Sequence, residues 1–169
     1  MSSRCTADGV LEVTPRFTGC PLVRLGLLPD WQLMKQARIL LADDYAPTRE
    51  SLQAVLAPHF EIAAIVANER DLVQAALGLK SDLIILDVTM PLLNGIRAAR
   101  QIRKSLPETK LLFVTMHTSS AYMQAAFDAA GTGYLVKSSA REEILAAVVK
   151  VLEGETYITP SLPSPPGSL

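Results

Sequence analysis

The stretch Ser81–Gly95, SDLIILDVTMPLLNG, decides the fold. Its apolar run, Leu83 to Leu86, leads straight into a carboxylate at Asp87. A run of that length, bounded by polar and turn residues, fits a strand buried on both faces, as in a parallel sheet. The carboxyl end of such a strand is where open α/β sheets bind their ligands. Taken alone, Asp87 fits a helix cap or a solvated loop equally well, so its neighbours must decide.

Upstream, RILLA (38–42) reads as a strand ending in Asp43 and Asp44. PTRESLQAVLA (47–57) follows as a helix with Leu52, Val55 and Leu56 on one face and Pro47 in its first turn. FEIAAIVA (60–67) is a second strand. Asn68 then caps a helix over ERDLVQAAL, with Asp71 at its third position and Gly78 just past its end. Downstream, IRAARQIRKSL is a helix with Ile96, Ala99, Ile102 and Leu106 inward, stopped before Pro107. KLLFVTM (110–116) is a fourth strand, and SAYMQAAFDAAG (120–131) an Ala-rich helix closed by Gly131. GYLVK (133–137) is a fifth strand. SAREEILAAVVKVLEG (139–154) is a last helix burying Ile144, Leu145, Val148, Val151 and Leu152 and ending at Gly154.

Strand and helix thus alternate five times with short connections, the pattern of a parallel sheet with helices on both faces. Right-handed crossovers leave few strand orders. The expected architecture is α/β, a flavodoxin-like (βα)5 doubly wound sheet of order 2-1-3-4-5, with its switch point between strands 1 and 3. Those two strands end in Asp43–Asp44 and in Asp87.

The regular pattern spans residues 37–155. Residues 1–36 lack a period and read as a poorly ordered extension, and Met34 just before KQARILLADD looks like a natural domain opening. Residues 156–169, rich in Pro and Ser, read as a disordered tail. The PxxP from Pro160 to Pro163 is a weak docking signal. A net charge of −1 gives no footing for nucleic acid or an anionic membrane, and the apolar runs are too short to span a bilayer. With no secretory signal, Cys5 and Cys20 are expected to be reduced thiols in a cytoplasmic protein, without the further ligands a zinc site needs.

Strands 1, 3, 4 and 5 end in Asp43–Asp44, Asp87, Thr115 and Lys137, all on one edge of the sheet. Singly, each has an ordinary reading: a helix-dipole partner, a loop residue, a turn hydroxyl, a solvated lysine. Together, three carboxylates repel one another until a cation neutralises them, and Mg²⁺ suits carboxylates, waters and phosphate oxygens. Such a site is half-built for a phosphoryl group, with a carboxylate as nucleophile and a threonine hydroxyl for the new oxygens. No strand-end Ser–His or Cys–His pair supports acyl transfer, and no P-loop or GxGxxG supports a nucleotide site.

These residues resemble a known family. LLADD, ILDVTMPLLNG, Thr115 in FVTMH and the lysine of GYLVK are similar to the receiver domain of bacterial two-component response regulators, from about Lys35 to Thr159. ARQIRKSLPETKLLFVTMH and AVVKVLEGETYITP are most similar to its NarL/LuxR-type subfamily. That subfamily usually continues into a helix-turn-helix domain, for which the sequence leaves no room, so no nucleic-acid binding is expected of this chain. The resemblance implies that Asp87 accepts phosphate from a histidine kinase or phosphotransfer protein. It implies Mg²⁺ on Asp44, Asp87 and the Thr89 carbonyl, with Asp43 acting through water. Lys137 would pair with the phosphoryl group, Thr115 follow it, and Tyr134 swing inward behind to reshape the face of helix 4, strand 5 and helix 5, where a homodimer would form. No activity beyond self-phosphorylation and autodephosphorylation is implied. Thr89 and His117 occupy positions that tune phosphate lifetime in this family, although a lone loop histidine is more often solvated; His59 reads as surface. Met90, Pro91 and Gly95 read as turn formers. Two alternatives stand beside this: a Mg²⁺-dependent phosphotransferase or hydrolase with Asp87 as nucleophile, and a phosphate-independent binding module. Thr89 stands where haloacid-dehalogenase-like phosphatases need a second aspartate, which counts against the former.

Overall fold

A computed structural model describes residues 37–90 and 94–163. The extension 1–36 with both cysteines, Pro91 and the end of the tail lie outside the described residues. The strands are β1 (Arg38–Ala42), β2 (Glu61–Val66), β3 (Leu83–Leu86), β4 (Lys110–Thr115), β5 (Gly133–Val136) and β6 (Tyr157–Ile158). The helices are α1 (Ala46–Leu56), α2 (Glu69–Leu79), α3 (Gly95–Ser105), α4 (Ser120–Asp128) and α5 (Ala140–Leu152). All strand pairs are parallel, in the order β2-β1-β3-β4-β5-β6. The flavodoxin-like doubly wound sheet is therefore present, with one strand added at its edge.

Alternation along the strands builds two apolar layers. Leu40, Ile84, Leu86, Leu111 and Phe113 face Leu72 of α2, Ile102 of α3 and Met123 of α4. Ile39, Leu41, Ile85, Leu112 and Val114 face Leu56 of α1 and Ile144 and Val148 of α5. Since both faces are covered, the central strands read as unbroken apolar runs. Among the described residues, no helix is long and apolar enough to cross a membrane.

The helix ends depart from expectation in two places. Gly78 lies inside α2, which runs on until Lys80 adopts a left-handed conformation (φ 49°) with its N–H bonded to Ala76 O at 3.0 Å. After α4 the left-handed residue is Ala130 (φ 63°), not Gly131. Gly131 is needed for space: a Cβ there would lie 2.8 Å from the Phe113 ring and from Ala126 O. Gly154 does end α5 with φ +88°.

The larger correction concerns the tail. The segment expected to be disordered from residue 156 adds Tyr157 and Ile158 beside Gly133 and Tyr134 of β5. Thr159 is 1% exposed, and Leu162 packs against the layer containing Tyr134. Burial of Thr159, partial burial of Tyr157, Ile158 and Leu162, and closure of an open sheet edge outweigh the local preference of a Pro- and Ser-rich segment for disorder.

Candidate functional site

α1 leaves β1 toward one face of the sheet and α3 leaves β3 toward the other, so the chain parts between these two strands and opens a cleft. Asp43 and Asp87 are the first residues past the two strand ends. Their N–H groups continue the ladder to Val66 O (3.2 Å) and Ala42 O (3.0 Å). Both are buried, at 4% and 5% exposure, whereas Asp44 is exposed. Carboxylate oxygens of all three lie within 4.8 Å of one another.

Lys137, just past β5, bridges two of them, with Nζ 2.6 Å from both Asp43 Oδ2 and Asp87 Oδ2. The remaining oxygens are also held. Asp43 Oδ1 accepts the Tyr45 N–H at 2.8 Å and Asp87 Oδ1 the Thr89 N–H at 3.2 Å. Arg49 donates to the Asp43 carbonyl at 2.6 Å. Burial pushes the Asp43 carboxyl above the ordinary aspartate value, more than the Lys137 and Tyr45 hydrogen bonds pull it down. For Lys137, burial acts downward, but hydrogen bonds to Asp43 and Asp87 and their charges together hold its pKa above the ordinary lysine value. The Lys137 ammonium thus pairs with two of three clustered carboxylates while the Arg49 guanidinium bonds a backbone carbonyl, leaving a deficit of positive charge at the cluster. Oxygen-only donors, clustered at this spacing with one exposed member, fit a small hard divalent cation.

The loop after Asp87 folds back on itself. Gly95 N–H donates to Val88 O at 2.9 Å, and Thr89 bridges to Asn94. A Cβ on Gly95 would sit 1.9 Å from the Asp87 carbonyl oxygen. Gly95 is therefore a close-approach glycine at the first turn of α3, not the turn former expected. Met90 is buried in the core layer, which is likewise a packing role.

Thr115, at the end of β4, is fully buried, and its Oγ1 accepts the His117 N–H at 3.3 Å. Tyr134 lies inward with no exposure, its hydroxyl donating to His117 O at 2.9 Å. Burial, then the Asp87 and Tyr122 charges, push its pKa up to about 12. His117 is no free loop histidine: Nε2 lies 2.6 Å from Thr89 Oγ1, and the ring stacks on Tyr122 at 4.0 Å. His59 is exposed, as expected. The structure thus brings Asp43, Asp44, Asp87 and Lys137 together directly, and links Thr89, Thr115 and Tyr134 through His117. Sequence reasoning passed over Arg49, Tyr122 and Thr159, whose partners are a backbone carbonyl, the His117 ring and a backbone N–H, none of which leaves a residue pattern in the chain.

The family model of the response regulator receiver domain matches residues 39–149. The oxygen regulatory protein NreC of Staphylococcus epidermidis is 34% identical over 124 residues, covering 72% of this chain and 57% of that protein. The transcriptional regulatory protein DegU of Brevibacillus brevis is 29% identical over 127 residues, covering 74% and 54%. This chain therefore spans little more than half the length of the curated relatives it matches. Among solved structures, a LuxR-family two-component response regulator from an Aurantimonas species superposes with a TM-score of 0.71 at 31% identity, covering 75% of this chain and 92% of that one. The receiver domain of a response regulator NarL from Mycobacterium tuberculosis gives a TM-score of 0.68 at 25% identity, covering 72% and 99%.

Proposed function

Since this chain belongs to the response regulator receiver domains of two-component systems, we propose that it accepts a phosphoryl group on Asp87 from a histidine kinase or phosphotransfer protein. The observation that carries this reading is the single ammonium of Lys137, 2.6 Å from both the Asp87 and Asp43 carboxylates beside exposed Asp44. An Asp87 carboxylate oxygen attacks phosphorus and a P–O bond forms. The bond from phosphorus to the donor's imidazole nitrogen breaks, and that nitrogen keeps the electron pair. Water later attacks the acyl phosphate, releasing inorganic phosphate and restoring the carboxylate.

Asp44, Asp87 and the Thr89 carbonyl would hold Mg²⁺, with Asp43 acting through water. The ion supplies positive charge against the phosphoryl oxygens and the carboxylates. Lys137 trades a carboxylate partner for a phosphoryl oxygen, which an ammonium on a flexible stem does readily. The Thr115 hydroxyl turns from the His117 N–H to the same group, and Tyr134 packs behind it. This chemistry is confined to self-phosphorylation and autodephosphorylation in the cytoplasm. The output is a changed protein-binding surface around α4, β5 and α5; β6 already pairs the outer edge of β5, so a homodimer there would meet α4 and α5 flanking β6.

Intact mass after incubation with acetyl phosphate tests the reading. One added phosphoryl group is expected with Mg²⁺, none with EDTA and none for Asp87→Asn. Equal labelling of the parent and Asp87→Asn overturns the assignment.

A further inference from the structure

We propose that Thr159 is a positioning residue of the phosphosite, acting through β5 on Lys137, and that docking of segment 157–162 is thereby coupled to phosphorylation. The inference rests on the receiver reading above. The β5–β6 register covers only Gly133 and Tyr134, so the outward N–H of Val136 has no strand partner. Thr159 supplies one with its side chain: Oγ1 accepts the Val136 N–H at 2.9 Å in a buried setting. Its own N–H donates to Tyr134 O at 3.0 Å. One residue thus grips β5 on both sides of Leu135.

On the opposite side of the strand, the Lys137 N–H bonds to Thr115 O at 2.8 Å. Thr159 holds the Leu135–Val136 peptide and Thr115 the next one, Val136–Lys137, so the two consecutive peptides leading to Lys137 are fixed from opposite flanks of the strand. Packing alone would be met by a valine of the same shape at this position, since Thr159 is 1% exposed. A hydroxyl there contributes a hydrogen bond to the last free rung before the lysine. Further anchors hold the segment. Tyr157 hydroxyl donates to Glu143 of α5 at 2.8 Å, and Ile158 and Leu162 pack on the layer of Tyr134 and Met123. The segment therefore ties β5 to α5 while holding the strand that carries Lys137. Because Lys137 changes partners when a phosphoryl group arrives, whatever fixes β5 biases that step, and by reciprocity the phosphoryl group biases docking of the segment.

The test compares the parent with Thr159→Val, which keeps the shape but loses the acceptor, and Thr159→Ser, which keeps the acceptor. Labelling by acetyl phosphate with Mg²⁺ is followed by intact mass at a temperature where circular dichroism shows the three proteins equally folded. Thr159→Val should label about fivefold more slowly or worse, the lower range for coupled sites, and Thr159→Ser should recover the parental rate. On the parent alone, amide exchange of residues 157–162 should slow when the protein is labelled, a readout that survives if the valine variant fails to fold. A folded Thr159→Val labelling at the parental rate, or unchanged parental exchange on labelling, overturns the coupling while leaving the receiver reading intact. A parent that gains no phosphoryl group overturns both.

Discussion

Replacing Gly95 by alanine should damage the site far more than a methyl group normally does. The added Cβ would lie 1.9 Å from the Asp87 carbonyl oxygen, 3.0 Å from its carbonyl carbon and 3.4 Å from Val88 Cα. Real Cβ contacts do not fall below 3.0 Å, so the gap to the oxygen must open by at least 1.1 Å. All three neighbours are backbone atoms, so no side chain can rotate away. The α3 start and the residue at the end of β3 must therefore separate, and the Gly95 N–H to Val88 O bond of 2.9 Å lies in the path of that movement. Overpacking of this kind costs about 1–3 kcal/mol of stability. Because the displaced residue is the proposed nucleophile, a misplacement near 1 Å is expected to slow labelling by about 100-fold. Gly78→Ala is the matched control: nothing lies within 4 Å of its Cβ, and it sits inside α2. It should gain about 0.5–1 kcal/mol, as alanine does over glycine in a helix, and label normally. Urea unfolding and the initial rate with acetyl phosphate read both effects. A Gly95→Ala protein with parental midpoint and parental rate would refute the idea that close backbone approach fixes Asp87.

Asp44→Asn should fold as the parent does, since Asp44 is exposed, but should lose stabilisation by Mg²⁺. At a hundred times the dissociation constant that stabilisation is about 2.7 kcal/mol for one site, visible as a melting shift that EDTA reverses. Lys137→Met leaves Asp43 and Asp87 facing each other without the ammonium 2.6 Å from each; a loss of about 3 kcal/mol in urea unfolding is expected, partly restored by Mg²⁺. Tyr134 and Tyr157 keep their protons up to about pH 12, chiefly through burial, while unfolded tyrosines ionise near pH 10. Between these values the unfolded state releases protons that the folded state retains, so the contribution of the two tyrosines to stability should be constant below pH 10 and fall as pH rises toward 12. Tyr134→Phe should make that fall shallower in unfolding curves taken across the range, and an unchanged slope would count against a buried, protonated Tyr134.

The legible part of the molecule is the part written in local pattern. Leu83–Leu86 running into Asp87, and its counterparts at Ala42, Thr115 and Val136, announce buried strands whose ends share an edge. Right-handed crossovers then narrow the strand order to a few, of which 2-1-3-4-5 is the common one, and this needs no side-chain detail. What stayed hidden depends on contacts between distant residues. Gly95 carries the same one-letter signal as a turn glycine, and only the folded chain reveals Asp87 O beneath it. His117 reads as one solvated histidine until Thr89, 28 residues away in the chain, comes within hydrogen-bonding distance of its ring. Tyr157–Ile158 is too short for any period to register, and the prolines around it argue for disorder. Its ordering comes from the open edge of β5, which no window of sequence contains.

Register also explains why residue 137 has to be a lysine. Leu86 pairs with Phe113 and Thr115 with Val136, so Asp87 is level with Val114, and Lys137 with Met116. Lys137 therefore starts two residues further along the strands than Asp87 and two strands away. With strands about 4.8 Å apart and about 3.3 Å per residue, that is roughly 10 Å across and 7 Å along. Yet the charges meet at 2.6 Å. An ammonium on a four-carbon stem can close such a gap toward a short, rigid aspartate and still retreat to meet a phosphoryl oxygen placed between them. An ammonium on a shorter stem at 137 would fall short of the carboxylates, and one starting level with Asp87 would crowd the space the phosphoryl group needs. The stagger of the sheet, set by apolar pairing far below the site, thus fixes how long the cation's stem must be.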